Sequence, residues 1–204
     1  PVLFAMDPRA RALSPLGRLR AAADRYGYVI VSSYRTQSDS APNPNEGAFL
    51  AMFAETKRRV RMDQRRVYLV GFSGTARDAW AFAYRMIGHA AGILGAGAGL
   101  PSGWSLPDPP TGGPAPVFFG AVGNADFNYE ELIGVDSALD RTSVRHHVDY
   151  ALARRAVLRD LRTGRRDRLD VCDAQPELLR AARNIAEPID GDCPVCGSAD
   201  LVLV

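Results

Sequence analysis

The sequence predicts an α/β protein with a mostly parallel sheet, followed by a small, mainly helical segment ending in half a zinc knuckle. Three observations carry that expectation. Apolar runs rich in β-branched and aromatic residues alternate with stretches of helical periodicity as far as Leu139, the pattern of strands joined by crossover helices. At the centre, Arg66 to Arg77 passes from an apolar strand, through a serine between two glycines, into a helix-forming run. The cysteines, Cys172, Cys193 and Cys196, all fall in the last third, so composition itself divides the chain.

Taken in order, Val2 to Met6 reads as a buried strand running into the turn Asp7-Pro8-Arg9. Leu13 to Tyr26 has apolar residues at helical intervals and a Ser14-Pro15 start, where proline is tolerated. Tyr28 to Tyr34 is a second strand, and a polar loop follows through Pro44. Glu46 to Arg61 is an amphipathic helix leading into the central strand. Ala76 to Met86 is the next helix and Ala91 to Ala96 a fourth strand. The proline-rich stretch from Pro101 to Pro116 reads as a long loop, of the kind that roofs a pocket. Val117 to Gly120 is a fifth strand, ending at Gly123-Asn124-Ala125-Asp126, and Tyr129 to Leu139 a further helix.

At 204 residues the chain can bury a sizeable core. Its 47% apolar and 24% charged residues are those of a globular protein. A net charge of +2 gives no electrostatic case for a nucleic-acid or membrane partner. Lys57 is the only lysine, so the basic residues are otherwise arginine. No run of about 18 apolar residues occurs, which argues against a membrane span. The start, Pro1 to Met6, is too short for a signal peptide and lacks a basic flank, so a cytoplasmic chain is expected. It has no initiator methionine, and the end is the apolar run Leu201 to Val204. Both termini read as cut.

The central stretch Gly71-Phe72-Ser73-Gly74-Thr75 has the layout of a nucleophile elbow. A nucleophile lifted off a strand end needs so tight a bend that its neighbours can hardly carry side chains. The helix after Ser73 aims its first N–H groups at negative charge forming beside the hydroxyl. The match is incomplete, because Thr75 stands where the usual pattern has glycine. A strand-to-helix turn capped by Ser73 would have a similar composition.

Asp126 follows the fifth strand as Ser73 follows the third. In a parallel sheet both lie beyond carboxyl ends, where ligands bind. An acid there can orient a histidine; Asp126 also reads as an N-cap for the helix from Tyr129, and the two roles are compatible.

On the stretches Gly71-Phe72-Ser73-Gly74-Thr75-Ala76-Arg77 and Gly123-Asn124-Ala125-Asp126-Phe127-Asn128-Tyr129, residues 1 to about 143 resemble an α/β-hydrolase family. These are the esterases related to polyhydroxybutyrate depolymerases and feruloyl esterases. The resemblance implies Ser73 as nucleophile and Asp126 as triad acid. It also implies an oxyanion hole from the N–H of Gly74 with one from the loop at Asp7. The hydrolase part needs no cofactor, and its partner is a small-molecule ester.

The base is missing from this pattern. A triad needs an imidazole, because neither serine nor aspartate exchanges a proton at neutral pH. His89 lies at the far end of the helix after Ser73, about 15 Å away at the helical rise. In the family the histidine sits in a Gly-His-Trp-like turn after a further strand, and no such turn occurs here. His146 and His147 come 20 and 21 residues after Asp126, where the family enters that last strand. They read as strand or linker residues.

From His147 the character changes. Val148 to Leu161 and Pro176 to Asn184 read as helices, and Asp192 to Gly197 as a knuckle before the strand Leu201 to Val204. Cys193-Pro194-Val195-Cys196 points two thiolates at one metal; tetrahedral zinc needs four ligands. Cys172 is a candidate third ligand or a core cysteine. Four stretches carry a resemblance to a small actinobacterial domain of unknown function: Val148 to Leu152, Arg154 to Leu158, Val171 to Ala174 and Pro176 to Arg183. Cys193 to Cys196 adds to it, though that family has a second C-x-x-C further on.

The resulting expectation is a partial hydrolase domain over 1–143 and a partial helical, zinc-ribbon-like module over 144–204, joined as a fusion or a fragment. Its activity would be acyl transfer through Ser73, weak for want of histidine. The alternative is a non-enzymatic metal-binding or interaction protein defined by the second segment, with weak zinc at Cys193 and Cys196.

Overall fold

The computed structural model describes residues 1–86, 90–101, 103–106, 116–150 and the strand 201–203. Six strands lie parallel: β1 (Val2–Met6), β2 (Val29–Ser33), β3 (Val67–Phe72), β4 (Ala90–Ala96), β5 (Val117–Ala121) and β6 (His146–Asp149). A seventh, β7 (Leu201–Leu203), pairs antiparallel to β2, giving the order β6-β5-β4-β3-β1-β2-β7. The helices are α1 (Leu13–Tyr26), α2 (Asn45–Arg59), α3 (Gly74–Arg85) and α4 (Tyr129–Leu139).

Strand alternation divides the core. Phe4, Leu69, Ile93 and Phe118 face one cluster with Phe49 and Met52 of α2, Trp80 of α3 and Leu132 of α4. Leu3, Ala5, Ile30, Tyr68 and Leu94 face the other with Leu16 and Leu19 of α1. Both faces are apolar because a parallel sheet is covered on both sides. Aromatic contacts lock the larger cluster: Phe49 stacks on Phe82 at 4.9 Å and Trp80 lies 4.7 Å from Phe118.

The sheet does not stop at residue 143. β6 pairs with β5 from His146↔Phe118 to Asp149↔Ala121, so Val148 and Asp149 are strand rather than the start of a helix. The rest of the expected helix from Val148 to Leu161, the helix from Pro176, Cys172 and the knuckle lie outside the described residues. So does most of the proline-rich loop.

Candidate active site

Four strand ends come level across the sheet: Phe72 pairs with Ala96, Ala96 with Ala121 and Ala121 with Asp149. Ser73 stands one residue above that line. Its backbone is at φ 55, ψ −133, a region L-residues rarely occupy and one that costs on the order of 1–3 kcal/mol. Ser73 holds the N-cap position of α3 but makes no side-chain cap hydrogen bond. Capping therefore does not account for it.

The neighbours explain how the bend is held. A Cβ on Gly71 would lie 2.3 Å from the Thr75 carbonyl oxygen and 2.5 Å from the Ala76 nitrogen. On Gly74 it would meet Ser38 Oγ at 2.6 Å. Thr75, where the usual pattern has glycine, is fully buried. Its hydroxyl oxygen accepts from Phe72 N at 3.0 Å and lies 2.9 Å from the carbonyl oxygen of Met6. The threonine thus ties the elbow to β1. The Ser73 N–H donates to the carbonyl of Ala96 at 2.8 Å, which fixes the turn against β4.

Asp126 sits on the far side of that same strand end. Its Oδ2 is 3.4 Å from where a Cβ of Gly97 would stand, and Phe72 Cε2 is 3.3 Å from that point. Ser73 and Asp126 therefore flank consecutive residues, Ala96 and Gly97, on the carboxyl side of the sheet. Asp126 is not the cap of α4, a position held by Asn128. Instead its Oδ1 accepts from Asn128 N at 2.8 Å, an Asx turn.

The two donors expected for the oxyanion hole fare differently. The N–H of Gly74, in the first turn of α3, carries no hydrogen bond among the described residues. The N–H of Asp7 donates to Thr36 Oγ1 at 3.1 Å and is not free for a substrate, which corrects the expectation for Asp7. Asp7 is instead a buried loop anchor. Its carboxylate accepts from Arg9 N at 2.8 Å, and Arg11 Nη2 donates to it at 3.0 Å.

The histidines lie elsewhere. His146 pairs with Phe118 near the amino end of β5. Four residues down and three strands across, it is on the order of 20 Å from Ser73 at about 3.3 Å per residue and 4.8 Å per strand. Its Nδ1 is 3.0 Å from the carbonyl of Val144, and its Nε2 3.3–3.4 Å from Asp140 and Asp136 of α4. The ring of His147 lies 5.2 Å from that of Phe119. Both are strand residues, as expected. His89, Cys193 and Cys196 lie outside the described residues, and among those described no group of three metal-ligating side chains forms.

Sequence reasoning missed the bridge between the two motifs. Arg77 forms a bidentate pair with Glu131, Nε to Oε1 at 3.0 Å and Nη2 to Oε2 at 2.6 Å. Its Nη2 also donates to Asn128 Oδ1 at 3.0 Å. Arg77 and Asn128 both stood within the quoted stretches, which was the available signal. A second unforeseen clamp holds the loop after β2: buried Asn45 donates to Gln37 O and Asp78 Oδ2, both at 2.6 Å.

The fold has counterparts. The chain is similar to the S-formylglutathione hydrolase FrmB of Staphylococcus aureus, with a TM-score of 0.60 over 90% of this chain and 80% of that one, at 12% identity. It is equally similar to fluorophosphonate-binding serine hydrolase F of the same organism, with a TM-score of 0.61 over 90% and 82%, at 11% identity. An S-formylglutathione hydrolase from Agrobacterium tumefaciens gives 0.60 over 89% and 83%, at 15% identity. The fold is therefore that of the α/β-hydrolases. Residues 141–204 match a family described as a family of unknown function, DUF5318. Uncharacterised proteins of Mycobacterium bovis and Mycobacterium tuberculosis are 44% identical over 57 residues, 28% of this chain. The chain spans 42% of the length of those relatives.

Proposed function

We propose that the chain carries a serine-hydrolase site that transfers acyl groups from small esters to water, and that it works weakly for want of a positioned imidazole. The observation that carries this reading is the backbone of Ser73, at φ 55 and ψ −133 with no capping bond. Strain of this kind persists where it serves a site. The acid loop beside Gly97 and the open N–H of Gly74 support it.

In the reaction the Ser73 oxygen bonds to the ester carbonyl carbon, and the carbonyl electron pair moves onto oxygen, toward the Gly74 N–H. That pair returns as the alkoxide leaves, and the serine proton passes to a base. Water then attacks the acyl-serine, releasing the acid and restoring the hydroxyl. On this reading no imidazole is at hand and the base is solvent. A serine hydroxyl so served attacks poorly. Binding and oxyanion donors alone leave about a thousandfold acceleration over water.

A fluorophosphonate probe tests the reading. One label on Ser73, absent from Ser73→Ala, is expected, with feeble hydrolysis of p-nitrophenyl acetate. A chain that takes no label, or labels equally after Ser73→Ala, refutes it.

The pair Cys193 and Cys196, within the segment that matches a family of unknown function, motivates a second reading, a metal-binding or interaction module. Two thiolates, Cys193 and Cys196, do not close a structural zinc site. Weak, substoichiometric zinc that a chelator strips is the expected result of elemental analysis. Tight one-to-one zinc would mean that Cys172 or a histidine completes the site.

A further inference from the structure

We propose that Asn128, Arg77 and Glu131 form a positioning bridge that fixes the Asp126 carboxylate relative to Ser73, leaving Oδ2 as the oxygen offered to a base. The inference rests on the serine-hydrolase reading above and adds residues to that site.

The bridge spans three segments. Arg77 stands on α3 four residues after Ser73, about one helical turn along. Asn128 and Glu131 stand at the start of α4, directly after Asp126. Between them is the end of β4, where Asn128 Nδ2 donates to Gly97 O at 2.6 Å and Gly99 N donates to Glu131 Oε1 at 3.0 Å. The elbow helix, the acid loop and the strand end separating them are thus joined through polar groups in fixed directions.

A simpler role, pinning α3 to α4, would need only the Arg77–Glu131 pair. Asn128 goes further. It is 6% exposed, and its side chain serves only this junction: Oδ1 accepts from Arg77 and Nδ2 donates to Gly97. Its backbone N–H takes Asp126 Oδ1 at 2.8 Å, so the residue that anchors the bridge also orients the acid. Asp126 Oδ2 has no hydrogen bond among the described residues and faces Gly97. A carboxylate with one oxygen tethered and the other open has a defined direction in which to receive an imidazole N–H. Glu131 holds the fork in place, and its hydrogen bond raises the pKa of the Arg77 guanidinium, so the bridge stays charged.

The test is a double-mutant cycle on fluorophosphonate labelling of Ser73, run with and without added imidazole as an external base. In that reaction the serine oxygen bonds to phosphorus, fluoride leaves, and the hydroxyl proton passes to the base. Asp126→Ala and Asn128→Ala should each slow labelling about tenfold to a hundredfold, the range a small misplacement costs. In the Asp126→Ala background, Asn128→Ala should slow it no further, since the residue acts through the acid. Arg77→Lys keeps the charge but loses the fork, and should raise the imidazole concentration needed for half-maximal rate. Thermal unfolding of each variant separates these effects from loss of fold. An equal loss on Asn128→Ala in both backgrounds overturns the inference, whichever base serves. Failure of the parent reading looks different: label that survives Ser73→Ala, or full-rate labelling of Asp126→Ala, removes the serine–acid pair and the bridge's purpose with it.

Discussion

The two ends of the sheet hold the same kinds of residue in opposite arrangements. At the carboxyl end, Ser73 and Asp126 flank the close of β4, one on a strained backbone and the other in an Asx turn. At the amino end, His146 lies between the carboxylates of Asp136 and Asp140. A serine, an acid and a histidine are all present, and the length of a strand separates the histidine from the other two. Residue content does not make a constellation; strand register does. The amino-end group reads as an anchor for β6, because Tyr150 also donates to Asp136 Oδ2 at 2.7 Å and meets Tyr129 edge-on at 5.6 Å.

The largest effect expected from this contrast is at the elbow. Gly71→Ala puts a methyl within 2.5 Å of backbone atoms of Thr75 and Ala76, which cannot rotate away as a side chain can. Denaturant unfolding should show a loss of about 3 kcal/mol. A loss near zero would mean that the bend relaxes freely and stores no strain.

A smaller effect belongs to the amino end. Tyr150→Phe removes a hydrogen bond to a carboxylate and should cost about 1 kcal/mol without altering labelling of Ser73. The smallest is His146→Ala. Asp140 is 74% exposed, so solvent screening limits the His146–Asp140 pair to about 0.5 kcal/mol. Hydrolysis of p-nitrophenyl acetate should stay within about twofold of wild type in both His146→Ala and His147→Ala. Abolition of activity by either, with a sigmoid pH profile near 7, would erase the contrast between the two ends.

Much of this was legible in the chain. The expected α4, Tyr129 to Leu139, agrees with the observed helix at both ends, and β1 likewise, because apolar spacing marks buried faces directly. α3 begins at Gly74 rather than the expected Ala76; glycine is a poor helix former, and only the elbow's closure makes it helical. β6 was only half legible: His146 and His147 read as strand or linker, whereas Val148 read as the start of a helix. Four residues with two histidines and an aspartate show no alternation, and pairing with β5 supplies what local preference lacks. The oxyanion expectation for Asp7 failed for a related reason. Its amide is engaged by Thr36, 29 residues away, a contact that no local pattern announces.

That short polar strand has a consequence for anyone wishing to study the hydrolase-like part by itself. β5 is Val117-Phe118-Phe119-Gly120-Ala121, apolar throughout, and β6 covers its outer edge. A chain stopped at residue 140 would expose that ladder of unpaired amides between two phenylalanines, a template for stacking one copy upon another. In the longer chain the backbone of His146 to Asp149 occupies that ladder. The first residues of the segment that matches a family of unknown function thus complete the sheet of the domain before them.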